Sequence, residues 1–180
     1  MLKKMRGFTL IELLIVVAII GILAVLLVPN AITAIQKAKQ KSTMKSITTI
    51  ATAVADYITD NGEAPAEPSG NDLDAADPFY DCLAPFYVRV IPENDEWGEP
   101  FKIWTNTNVD GNYGIADGLS GDFLITSWGR NSELEGFNFD PDNPEQGYFA
   151  VNSMDDFTND LVSYSGSWIR APRALATAGS

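Results

Sequence analysis

Residues 8–28 form an almost unbroken apolar run of 21 positions, interrupted in character only by Thr9, Glu12 and Gly21. At ~1.5 Å per residue this predicts a helix of about 31 Å, the thickness of a bilayer's hydrocarbon core. Beyond Pro29 the pattern turns periodic. Ile32 and Ile35 begin a stripe, residues 37–45 are polar and basic, and Met44, Ile47, Ala51, Val54 and Ile58 follow at spacings of 3, 4, 3 and 4. Such spacing marks one face of a helix, and Asn61-Gly62 supplies its stop. The pattern predicts one helix over residues 8–61, 54 residues and about 80 Å long. Its first half (8–28) has only lipid or other subunits to bury against; its second half (29–61) has a face for a globular domain. Pro29 removes a backbone donor and predicts a kink between the two.

The remaining pattern is short and mixed. Residues 63–77 read as a loop with a short helix at 72–76, and residues 78–87 as another short helix. Phe79, Tyr80, Phe86 and Tyr87 are expected to pack on the long helix, and Cys82 to be a small buried apolar residue. Strands are expected at 101–105, 113–116, 122–127 and 161–164, the last paired to 168–170 across Ser165-Gly166. The fold class is α+β: a long N-terminal helix packed against a small antiparallel sheet, with the head over 62–170. Residues 171–180 are small and polar and are expected to be a disordered tail.

Charge divides the chain. Of a net −12, the basic residues Lys3, Lys4 and Arg6 precede the apolar run, and Lys37, Lys39, Lys41 and Lys45 follow it. Beyond Lys45, five basic residues face 23 acidic ones, a balance that repels nucleic acid and suits either solvation or divalent cations. Cys82 is the only cysteine and histidine is absent, so disulfide closure, thiolate zinc sites, His-based metal sites and Ser-His-Asp or Cys-His catalysis are all excluded. Nothing in the pattern points to an enzyme. The start has the basic and apolar regions of a secretory signal, but the run is too long and no small-x-small site follows at Val28-Pro29-Asn30. The basic flank keeps the N-terminus cytoplasmic and the head outside. Glu12 then stands out, because a charge inside lipid costs about 2.5–3.5 kcal/mol on insertion scales and a plain anchor has no use for it.

Lys3-Lys4-x-Arg6-Gly7-Phe8-Thr9-Leu10-Ile11-Glu12, followed by about twenty apolar residues, resembles the class III signal of type IV pilins and type II secretion pseudopilins. The resemblance implies a seven-residue leader (1–7), cut after Gly7 by a prepilin peptidase that then methylates the new N-terminal Phe8. It makes Glu12 the fifth residue of the mature chain. Paired with the Phe8 amine of a neighbouring subunit, that carboxylate offsets two buried charges at once, whereas a wrong axial stagger leaves both unpaired. Related filaments have a kinked or locally melted segment near the position of Pro29. Implied partners are further copies of the chain, the inner-membrane assembly platform and minor pilins or pseudopilins, with the head in the periplasm.

Asp95-x-Trp97-Gly98-x-Pro100-Phe101, preceded by Tyr87-x-x-x-Ile91-Pro92, closely resembles the head of the major pseudopilins of type II secretion. Physically it reads as a turn with a core tryptophan and no chemistry of its own. Residues 124–131 and 159–164 resemble the two segments between which that family holds one structural calcium. The resemblance makes Asn131, Asn159 and Asp160 candidate ligands, with the Trp128 carbonyl beside them and Glu133, Glu135, Asp155 or Asp156 as compensating donors. Asn at 131 and 159 departs from the family's aspartates. Asn106-x-Asn108-x-Asp110-Gly111 with Asp117 mimics a calcium loop of the helix–loop–helix kind, but without its first Asp and terminal Glu it reads better as a turn. Two filament readings stay open. A pseudopilus subunit driving type II secretion leads; the alternative is a type IV pilus pilin, kept open because the stretch 129–163 exceeds the usual pseudopilin loop, although a single cysteine cannot supply the C-terminal disulfide that many pilins close.

Overall fold

A computed structural model of the protein describes residues 8–173. They belong to two compact units that part between Lys37 and Ala38. Among the described residues, helix α1 (Leu10–Asn61) supplies all the regular structure of the first unit and the opening of the second. It starts two residues later than the apolar run suggests, because Thr9 is held outside the helix as its cap. In the first unit every large apolar side chain that is described, from Phe8 to Ile35, is exposed. The segment is long and apolar enough to cross a membrane. α1 is continuous through Pro29, where the Thr33 hydroxyl donates to the proline carbonyl at 3.1 Å.

In the second unit α1 turns a wide apolar face inward. Ile47, Ile50, Ala51, Ala53 and Val54 are buried and Met44, Tyr57 and Ile58 flank them. The predicted stripe is right but too narrow, because Ile50, Ala53 and Tyr57 widen it. A short helix α2 (Pro78–Leu83) adds Phe79 and Leu83 to this core. It ends at Leu83, since Ala84 precedes Pro85 and takes the extended backbone that a following proline favours.

The sheet has five strands: β1 (Lys102–Thr105), β2 (Phe123–Ser127), β3 (Tyr148–Phe149), β4 (Leu161–Tyr164) and β5 (Ser167–Pro172), in the order β1-β2-β4-β5-β3. Ile103, Phe123, Ile125 and Leu161 face α1. Leu124, Val162 and Ile169 face the other way, into a second core with Val109, Tyr113 and Ile115. Every residue of β2 is buried, so both faces of the sheet are covered. The second cover comes from two connections: the one from β1 to β2 buries Val109, Tyr113 and Ile115 there, and the long one from β2 to β4 lays Phe137 and Phe139 beside them.

Several expectations are corrected. The sheet is mixed: β3, not foreseen, runs parallel to the end of β5, pairing Tyr148 with Ala171 and Phe149 with Pro172. This pairing draws Ala171 and Pro172 out of the expected tail and into the sheet; residues 174–180 lie outside the described residues. Residues 113–116 are not a strand, because Tyr113 and Gly114 both take positive φ (51° and 75°). Residues 72–76 are not a helix, because Asp72 bridges to Lys102 and the Leu73 N–H donates to the Phe101 carbonyl at 2.8 Å. Cys82 is exposed rather than buried, and Phe86 is 81% exposed rather than packed.

Candidate functional site

The helix start is the first candidate site. Gly7 and the basic residues before it lie outside the described residues, and Phe8 is exposed. Behind it, Thr9-Leu10-Ile11-Glu12 forms a capping box. The Thr9 N–H and hydroxyl both donate to Glu12 Oε2, at 2.8 and 2.6 Å, and the Glu12 N–H returns a bond of 3.3 Å to the Thr9 hydroxyl. The carboxylate that is costly in lipid is therefore partly solvated by its own chain. The Thr-x-x-Glu spacing was legible in the sequence; its meaning was hidden by the more obvious question of why a charge sits there. Pro29 lies in the same unit, seventeen residues on.

The second candidate is the motif at Asp95. Asp95 is 7% exposed, and its Oδ1 accepts from the N–H groups of Trp97, Gly98 and Glu99 at 2.9, 2.9 and 3.1 Å. Its Oδ2 accepts from the Ser127 hydroxyl of β2 at 2.6 Å. Gly98 has φ 100°, a backbone angle that turns the chain back toward β1 without a side-chain penalty. The turn packs Trp97 against the main core and presents Glu96 to α1. There the Ser42 hydroxyl donates to Glu96 Oε1 at 2.5 Å, Lys39 Nζ to the Glu96 carbonyl at 2.8 Å, and the Glu96 N–H to the Thr43 hydroxyl at 3.2 Å. The motif is a clasp between sheet and helix. Of the four lysines that follow the apolar run, Lys39 is thus engaged within its own head.

The third is the region to which the resemblance assigns calcium. The turn Gly129–Asn131 does meet the turn Asp155–Thr158: a Cβ on Gly129 would stand 2.8 Å from the Phe157 carbonyl and 2.9 Å from that of Asn159. The candidate side chains do not converge there. Asn131 and Glu133 are exposed, and Asp156 Oδ2 accepts from the N–H groups of Asn152 and Ser153 at 2.8 and 2.6 Å. Asn159 donates to the Asp156 carbonyl at 3.1 Å and accepts from Arg170 at 3.4 Å. Asp160 is fully buried; its Oδ2 accepts from the Tyr113 hydroxyl at 2.6 Å and the Glu135 N–H at 3.1 Å, while Oδ1 has no hydrogen-bond partner. Burial pushes the Asp160 carboxyl up to about 6 and the Tyr113 phenol well above its ordinary value.

Glu135 takes the Asp160 N–H at 3.2 Å and the Arg170 Nε–H at 3.0 Å, and pairs with Arg170 through its other oxygen as well. Trp128, next to the Gly129 turn, stacks its ring under Lys102 Nζ, 4.5 Å from the centroid. Among the described residues no group of three or more acidic, cysteine or histidine side chains is placed to hold a metal. The donor set does not fit a calcium ion that wants six to eight oxygens. Arg170, the centre of this cluster, carried no signal in the sequence. The helix–loop–helix mimic is likewise structural: Asn106 donates to the Ala64 carbonyl and accepts from the Gly121 N–H at 3.2 and 3.0 Å, and Asp110 accepts from the Gly118 N–H.

Comparison with known proteins follows from this geometry. Residues 2–28 match the family model described as the prokaryotic N-terminal methylation motif. The chain is 32% identical over 140 residues to the type II secretion system core protein G of Escherichia coli K12, covering 72% of this chain and 95% of that one. It is 30% identical over 145 residues to the core protein G of Pseudomonas aeruginosa, covering 78% and 94%, and 32% identical over 109 residues to that of Aeromonas hydrophila, covering 56% and 73%. No solved structure matches the chain significantly.

Proposed function

The chain belongs to the type II secretion system core protein G family, and from that membership we propose that it is a structural subunit that polymerises from the inner membrane into a pseudopilus, the filament that drives type II secretion. The observation that supports this best is the first unit. It exposes an apolar helix with a single carboxylate at its start, a surface that is stable only in lipid or against identical helices. A prepilin peptidase cuts after Gly7 and methylates Phe8. Lys3, Lys4 and Arg6 hold the leader on the cytoplasmic side and the head folds in the periplasm. The protein is not an enzyme: it builds a polymer, with the inner-membrane platform and minor pseudopilins as its further partners.

Glu12 sets the stagger of that polymer. In the stored subunit Thr9 satisfies one carboxylate oxygen; on assembly the Phe8 ammonium of a neighbour supplies a charge-assisted partner, which is roughly twice as strong as a neutral one. Pro29 takes one donor out of α1 and is where the helix yields under tension. The length of the 129–163 stretch, greater than the usual pseudopilin loop, has a local role in the second core and does not favour a pilus.

The test is Glu12→Ala in the full chain. It is expected to insert in the membrane, to be cleaved and methylated, and to give no filaments and no secretion. Normal filaments from this variant would refute the proposal.

A further inference from the structure

Arg170 lies on β5, the strand that follows the Ser165-Gly166 turn, and its guanidinium reaches Asn159 at the head of one candidate calcium segment and Glu135 just beyond the other. We propose that this guanidinium is the built-in cation of the head, closing the connection between β2 and β4 in place of a divalent metal ion. The geometry is that of a fork in a clamp. Nε donates to Glu135 Oε2 at 3.0 Å, the terminal nitrogen pairs with Glu135 Oε1, and the same nitrogen reaches Asn159 Oδ1 at 3.4 Å. The planar group lies against the rings of Phe137 and Phe149, at 4.8 and 4.9 Å from their centroids. Only 11% of the Arg170 side chain and 29% of Glu135 are exposed. A planar, weakly hydrated cation with five fixed donors is suited to such a site, where a compact ammonium is not.

The oxygens tell the same story. Glu135 and Asn159, two of the donors a metal would need, are spent on Arg170, and the Glu135 backbone and side chain also exchange bonds with Asp160. Four segments are thereby tied together: β5 through Arg170, the long connection through Glu135 and Phe137, the edge strand β3 through Phe149, and the start of β4 through Asp160. A divalent ion placed among these groups would have to displace the guanidinium or sit beside it against like charge.

The test uses the full chain in detergent, followed by thermal unfolding of the head in EGTA and in excess calcium. The midpoint is expected to agree within about 1 °C between the two, because a ligand that does not bind the native state does not shift it. Arg170→Gln, which keeps a polar side chain but removes the charge and leaves Glu135 unpaired, is expected to lower the midpoint by roughly 5 °C or more in both buffers. Arg170→Lys, which keeps the charge and loses the fork, is the milder variant that reads the same loss should Arg170→Gln not fold; its expected drop is smaller but in both buffers. A clear rise of the wild-type midpoint in calcium, or a folded Arg170→Gln or Arg170→Lys with the wild-type midpoint, overturns the proposal. These outcomes concern the head alone and stand apart from whether the chain forms a filament.

Discussion

Asp95 shows how a single buried carboxylate can organise a motif. Its two oxygens gather three consecutive N–H groups and one hydroxyl, and through that turn they deliver Trp97 to the core and Glu96 to α1. Asp95→Ala is expected to destabilise the head by about 3 kcal/mol, since it strands those donors in a buried site. Asp95→Asn keeps one acceptor oxygen for the turn and is expected to lose about 1 kcal/mol. Urea unfolding of both variants checks the order, and equal losses would show that the turn does not depend on the acceptor. A second carboxylate, Asp122, accepts from the Tyr164 and Ser165 hydroxyls at 2.9 and 3.1 Å. Burial, with Asp122 beside it, pushes the Tyr164 phenol up to about 12, above the ordinary value of about 10. The group is held in its protonated form more firmly when folded than when unfolded, so its contribution is whole below about pH 10 and is lost as pH rises through about 12. The difference in unfolding midpoint between wild type and Tyr164→Phe is therefore expected to be constant to about pH 10 and to shrink above it; a constant difference at all pH values would contradict the assignment. The motif residues were legible because their types are rare in combination. Arg170 was not, because nothing local distinguishes an arginine that pairs with Glu135 from one that points to water.

Elements were legible where they are made by local rules. The 3- and 4-residue spacing found α1, and Ser165-Gly166, both with positive φ, announced the hairpin between β4 and β5. Elements made by distant partners were not. β3 is two residues long and exists only because the end of β5 passes beside it, so no periodicity can reveal it. The expected strand at 113–116 had the right composition, yet its backbone is committed to a turn. The long connection from β2 to β4 reads in the sequence only as a long stretch, and it packs Phe137 and Phe139 onto a second core. Its docking point is Gly129, whose φ of 66° and whose lack of Cβ allow the 157–159 backbone to approach. Gly129→Ala meets both the left-handed strain and a carbonyl oxygen at 2.8 Å, and is expected to cost at least about 2 kcal/mol. Hydrogen exchange localises the effect. Protection is expected to fall across 129–159 while the second half of α1 keeps its own; uniform loss over both would mean that the lid and the main core are one cooperative unit.

The two units answer to different solvents, and this decides where the chain can be cut. Among the described residues none before Gln40 is buried, whereas from Gln40 onward α1 contributes to a packed core. The clasp falls just inside this limit: Lys39, Ser42 and Thr43 hold Glu96, and Thr43 is fully buried. A chain beginning at Ala38 therefore retains every core residue and every clasp residue while losing the apolar run that needs lipid. It is expected to be soluble, monomeric by sedimentation, and to unfold cooperatively within about 2 °C of the head in the full chain, because the removed residues bury no side chain that the head requires. It is also expected to add no subunit to a growing filament, since the apolar helix and the carboxylate proposed to set its register are gone. A chain beginning six residues later, at Met44, removes the clasp without touching Ile47, Ile50 or Val54. It leaves Glu96 and its N–H without partners on α1 and is expected to unfold several degrees lower. Equal midpoints for the two fragments would show that the Asp-x-Trp-Gly turn stands without α1, and aggregation of the Ala38 fragment would show that the head depends on the membrane half after all.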